Sequence, residues 1–186
     1  MKRFFLNIAA ILALTTLLPC PVQADMPTET SNKASKKKAK SASPVVAAVK
    51  KVKKVKGRIN PKADYYIYLY SASWCGPCRQ EMPEIVELYD EMKKTGKVDI
   101  ILFCQDKTLP AAKAFVKEFN IKFLTVMGND DKATTVPGHA PSGGIPHCIF
   151  VDREGRTIRA GHPGNLMSLW KSLTIEREPS DAPETE

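Results

Sequence analysis

The chain has 186 residues, 43% of them hydrophobic, and a formal net charge of +8. That length gives room for one domain of ordinary size plus tails, and that apolar content excludes a wholly disordered polymer. The charge raises a nucleic-acid reading and its distribution removes it: ten lysines face Asp25 and Glu29 between Asp25 and Gly57, whereas from Arg58 onward 16 Lys and Arg face 18 Asp and Glu. The part able to fold is slightly acidic, so no nucleic-acid partner is expected.

Residues 1–24 start Met1-Lys2-Arg3, run apolar from Phe4 to Leu18 and end Val22-Gln23-Ala24, the pattern of a cleaved signal peptide. The apolar stretch is shorter than the ~20 residues that cross a bilayer comfortably. This predicts export to the periplasm or another extracytoplasmic space, where disulfides persist. Two anchoring alternatives stay open, an uncleaved signal and a lipid on Cys20, although Pro19 before Cys20 fits lipidation poorly. Residues 25–57, rich in Lys, Ala, Ser and Pro and free of aromatics, read as a disordered linker. Within it Val49, Val52 and Val55 recur every three residues among lysines, so a basic helix contacting an anionic membrane surface is the alternative.

The folded domain is predicted over residues 58–175. Tyr65–Tyr70 reads as a central strand and leads into Cys75. Met82, Ile85, Val86, Tyr89 and Met92 have helical spacing, with a stop at Gly96 after Lys93-Lys94 and a kink at Pro83. A second strand is expected over Val98–Cys104, a helix over Pro110–Phe119 and a short strand over Phe123–Met127. Residues 128–144 form a long Gly/Pro/Ser loop. His147–Val151 and Arg156–Ala160 flank Asp152-Arg-Glu-Gly155 as a hairpin, and Asn165 is expected to cap a last helix before an acidic tail, 176–186. The order implies an α/β fold, a mixed central sheet flanked by helices.

The chemistry concentrates in Trp74-Cys75-Gly76-Pro77-Cys78. At a strand-to-helix junction, unpaired N–H groups and the helix dipole point at the first sulfur and favour its thiolate. Cys78, one turn on, can displace whatever Cys75 captures, and Pro77 occupies a first-turn position where its missing N–H costs little. Two other readings compete. A structural metal site needs further ligands, and His139, His147 and His162 are not spaced to supply them, although two thiolates suffice for Cu(I). Two inert buried thiols fit Cys75 poorly, because Gly76 and Pro77 suit a surface turn.

With its apolar strand before and Pro83 behind, this motif resembles the active site of the thioredoxin superfamily over about residues 62–175. The resemblance implies a thioredoxin-like fold with a cis Ile145–Pro146 bond facing the cysteines. Glu81 and the signal segment resemble the exported TlpA-like branch, in which a glutamate here helps adjust the thiols; a first-turn acid complementing the helix dipole is the alternative for Glu81. Ser71–Cys75 is also similar to tryparedoxin-like and nucleoredoxin-like proteins. Two positions depart from the pattern. Leu69 stands where thioredoxins carry a buried aspartate, and His147 follows the proline in place of threonine, either favouring thiolate when protonated or shaping the groove.

The resemblance implies a thiol-disulfide oxidoreductase in which Cys75 attacks and Cys78 resolves, with Trp74, Gly76, Pro77, Glu81, Ile145, Pro146 and His147 in support. Its redox element is a Cys75–Cys78 disulfide, with no metal and no other cofactor expected. The expected partners are disulfide-bearing proteins and, if it reduces them, a membrane electron donor serving a monomer. The rival is a module of the same fold that binds copper or thiols without turnover. In the thioredoxin-like sheet that the resemblance implies, Cys104 and Cys148 would lie on the strands either side of the central one, too far apart to pair, and read as buried free thiols.

Overall fold

The computed structural model describes residues 42–141 and 143–175. The signal segment, Cys20, the linker up to residue 41 and the acidic tail lie outside them. The elements in order are α1 (Pro44–Val49), β1 (Lys54–Lys56), β2 (Tyr65–Ser71), α2 (Gly76–Thr95), β3 (Val98–Cys104), α3 (Leu109–Glu118) and β4 (Leu124–Met127). A 3-10 turn (Asp131–Thr135), β5 (His147–Asp152), β6 (Thr157–Gly161), α4 (Pro163–Leu166) and α5 (Leu169–Ile175) follow.

One six-stranded sheet runs β1-β4-β3-β2-β5-β6. β2, β3 and β4 are parallel, while β1, β5 and β6 join antiparallel, which gives the mixed sheet predicted from the element order. β2 sits centrally because its Tyr-Tyr-Ile-Tyr-Leu-Tyr run is buried on both faces. Tyr65, Ile67 and Leu69 pack under α2, α3 and the α4–α5 segment. Tyr66, Tyr68 and Tyr70 face the opposite layer with α1 and the 3-10 turn. These tyrosines also carry hydroxyls to the far side of their layer, where phenylalanine would leave partners unmet. Tyr68 donates to the Pro137 carbonyl at 2.7 Å, and Tyr70 lies 3.0 Å from His139 Nδ1 and accepts from Ala140 N at 3.3 Å. Residues 137–140 are thereby tied to the central strand shortly before Pro146.

α2 ends as predicted, at Gly96 with φ +67°, with Lys93 and Lys94 in its last turn. It continues through Pro83, which lies on its exposed side. Other expectations need correction. Residues 42–57 are not linker: α1 and β1 belong to the domain, and Val45, Val46, Val49 and Val52 are buried in its second core layer. Composition averaged over 25–57 hid a valine stripe on one helical face, and burying each valine stabilises the fold by about 1.5 kcal/mol or more. Ser43 caps α1 and donates to the Arg153 carbonyl at 2.6 Å, so the folded chain is closed well before Arg58. The alternative of a basic helix over 49–56 does not hold either, because Lys54–Lys56 form β1, an edge strand paired with β4. The last helical segment starts at Pro163, with His162 rather than Asn165 at its N-cap, because proline suits the first turn. Among the described residues no helix is long and apolar enough to cross a membrane.

Candidate active site

Cys75 is the N-cap of α2, extended at φ −88° and ψ 108°, and its sulfur accepts from the Cys78 backbone N–H at 3.2 Å. That is the hydrogen bond an N-cap side chain normally supplies, made here by sulfur. Cys75 and Cys78 are joined by a disulfide, with Cα atoms 5.3 Å apart. The Ile145–Pro146 bond is cis, and Ile145 packs against the pair, its carbonyl oxygen 3.7 Å from Cys75 Sγ. The turn is at the surface as predicted, with Trp74 66% exposed and Gly76 and Pro77 exposed as well. The sulfurs themselves are recessed, Cys75 being 5% and Cys78 1% exposed, because Ala72 and Ile145 close over them.

Two residues that the sequence did not flag hold the preceding loop. Asp106, 1% exposed just beyond β3, accepts from Ser73 N at 3.2 Å, from Ser73 Oγ at 2.6 Å and from Cys104 Sγ at 3.0 Å. Arg79 donates to the Ser73 carbonyl at 3.4 Å and forks onto Glu118. The available signal for Asp106 was topological. A polar residue just past the C-terminal end of a parallel strand lies beside the loop that leaves the neighbouring strand.

Glu81 is past the first turn of α2, which begins at Gly76, so its reading as a first-turn acid does not hold. Its side chain turns inward: Oε1 lies 3.0 Å from His162 Nε2, and Oε2 is buried with no partner among the described residues. Burial pushes its pKa up, the His162 imidazole pulls it back, and Glu84 adds to the rise. Glu81 also acts on Cys148, whose thiol is pushed up to about 12 by burial first and by this carboxylate second. Cys148 is the cross-strand partner of the fully buried Leu69, so a thiol adjoins the place where the superfamily aspartate would lie. Cys104 pairs in register with Ser71, and burial raises its thiol to about 12. Both thiols are free and buried, on the strands flanking β2, as the resemblance implied. His147 opens β5 with its ring 5.8 Å from that of Tyr70, and burial lowers its pKa. That favours neutral imidazole, consistent with a groove wall more than with a cation.

A dithiol–disulfide couple at the N-terminus of the helix after the central strand, facing a cis-proline, defines a thioredoxin-fold redox protein. The Redoxin family model matches residues 36–166, and the chain belongs to that family. Its sequence is 37% identical over 86 residues to the thiol-disulfide oxidoreductase ResA of Bacillus cereus, covering 46% of this chain and 47% of that one. It is 25% identical over 100 residues to the probable nucleoredoxin 1 of Arabidopsis thaliana, 53% of this chain and 17% of that one. The chain spans about half the length of the ResA relatives it matches. Among solved structures it resembles a thiol:disulfide interchange protein from Bacteroides sp. (TM-score 0.53, 23% identity, 72% of this chain and 87% of that one). It also resembles a thioredoxin from Wuchereria bancrofti (TM-score 0.51, 22% identity, 66% and 94%). These likenesses carry the fold, and the thioredoxin-like architecture read from the sequence is the one observed.

Proposed function

We propose that the protein is an exported thiol-disulfide oxidoreductase that reduces disulfides of partner proteins. The observation that carries this reading is the Cys75–Cys78 disulfide capped on α2 beside cis-Pro146. In the reduced form the Cys75 thiolate attacks a substrate disulfide, forms a mixed disulfide and expels one substrate thiolate. Cys78, as thiolate, then attacks Cys75 Sγ; the internal disulfide forms and the second substrate sulfur leaves as a thiolate, which takes a proton from solvent. Two electrons pass to the substrate, and a membrane electron donor must return two for the next cycle. The Cys78 N–H that meets Cys75 Sγ at 3.2 Å, together with the helix dipole, lowers the cost of the thiolate at Cys75. Backbone groups beside Pro146 offer a strand-like surface to the substrate chain, with Trp74 and His147 bordering the recess. Glu81, turned inward toward Cys148, serves as a local proton acceptor in place of the missing aspartate.

Export rests on the signal-like residues 1–24, and the reducing direction on Gly76-Pro77, the dipeptide of thioredoxins whose potential is about −270 mV. The test is dithiothreitol-driven insulin reduction by the wild type, Cys75→Ser and Cys78→Ser. Turnover only in the wild type, with Cys78→Ser trapping partners as mixed disulfides, supports the proposal. No wild-type turnover combined with stoichiometric Cu(I) binding replaces it with the metal-handling reading.

A further inference from the structure

Away from the disulfide, a groove of about 770 Å³ runs from the β1 edge to the last turn of α2. Lys54, Lys56, Arg58, Lys93 and Lys122 line it, from three separate parts of the chain. The acids facing it are few. Asp99 is buried, accepting from Asn60 N at 2.5 Å and Ile100 N at 2.9 Å, and Asp90 is paired with Lys122 at 2.6 Å. Lys93 acts on both of these carboxylates and lowers their pKa values, without a direct ion pair. A second cleft of about 350 Å³ adjoins it and shares Lys54, Gly57, Arg58 and Ile59. Its lining adds Lys50 and the buried Val49, Val52, Leu124 and Val126. The ridge between them is fixed, since Gly57 has φ +81° and a Cβ there would meet the Phe123 carbonyl oxygen at 2.3 Å.

Ordinary causes account for some of these cations singly. Lysines on an edge strand discourage strand pairing, and Lys93 complements the negative end of α2. They do not account for Arg58, or for the meeting of these cations with Lys50 on both sides of one ridge. From this convergence of exposed cations we infer that the face is a docking surface for a bilayer of anionic phospholipids, the groove meeting headgroup phosphates. The disulfide stays clear of such a surface. Lys93 is about 25 Å from Cys75 along α2, and β1 lies three strands, about 14 Å, from β2. A docked molecule therefore presents its redox pair to partners standing off the membrane.

Site-resolved acetylation of the full chain tests this without reference to thiol turnover. The protein is mixed with vesicles of phosphatidylglycerol and phosphatidylcholine, or of phosphatidylcholine alone, and lysine modification is read by mass spectrometry. Lys54, Lys56 and Lys93 should react about fivefold or more slowly on the anionic vesicles, from the attraction typical of one lysine at such a surface. Lys107 and Lys132, which follow the C-terminal ends of β3 and β4, should be unchanged. The variant Lys56→Glu/Lys93→Glu should lose protection at Lys54 and keep wild-type insulin reduction. Equal protection on both vesicle types, or equal slowing of Lys107 and Lys132, overturns the inference. So does equal protection by glycerol phosphate or a soluble oligoglutamate, which would assign the groove to a dissolved anion.

Discussion

Asp106→Ala removes the acceptor that holds the loop in front of the disulfide. Three donors lose their partner: Ser73 N–H, Ser73 Oγ–H and Cys104 Sγ–H. Ser73 is half-buried and can recover some water, so each of its bonds is worth about 1 kcal/mol, and the thiol, a weak donor, about 0.5 kcal/mol. Adding the small void left beside the fully buried Cys104 brings the cost to about 3 kcal/mol, a large part of the ~5–15 kcal/mol that holds a domain together. Asp106→Asn keeps one acceptor oxygen but turns an amide donor toward the remaining donors, and should cost about half as much. Urea unfolding of both variants with the disulfide intact gives the cost, and hydrogen exchange at Ser73 reports the loop. The Ala variant should also reduce insulin more slowly, because the Cys75 cap is set by this loop. A cost below about 1 kcal/mol with unchanged exchange at Ser73 would refute the positioning argument.

Burial raises the Cys104 and Cys148 thiols to about 12 from a usual 9.0, so at pH 8 their thiolate fraction falls roughly a thousandfold. Alkylation of the native protein should spare both and label them only in denaturant; rapid native labelling of either would contradict their placement. Gly57→Ala should destabilise by more than about 2 kcal/mol, since its φ of +81° and the Phe123 backbone leave no room for a side chain. A neutral effect on thermal unfolding would show that the ridge is not fixed. Burial also raises the Asp99 carboxyl above its ordinary value. A raised folded value favours the protonated form, so this contribution is present below the usual carboxylate range and is lost as pH rises through the folded value. The stability of the wild type relative to Asp99→Asn should therefore decline from pH 4 toward neutrality; a difference independent of pH would contradict the shift.

The site was legible where chemistry and chain order coincide. Cys75, Gly76, Pro77 and Cys78 are consecutive, and a strand before them with an amphipathic helix after them fixes where they sit. Asp106 was not legible, because its meaning depends on β3 lying beside β2 in parallel register, Ser71 opposite Cys104. Glu81 had two readings from sequence; the start of α2 at Gly76 and the return of His162 from the far end of the chain turned it inward. The missed start of the domain has a different cause. Val49 and Val52 border lysines while Val45 and Val46 lie just ahead of them, and a composition average over the Lys-rich stretch cannot register that one face alone is apolar.

Local sequence thus determined the elements and the redox pair, because hydrophobic period, turn residues and the spacing of two sulfurs act over a few residues. Tertiary structure decided what surrounds the pair. It recessed both sulfurs under Ile145, brought Asp106 to Ser73, placed a thiol at Cys148 next to Leu69 and gathered five cations along one edge. Each of these depends on strand order and packing between residues far apart in the chain, and that is set by the burial of both sheet faces together, not by any one segment.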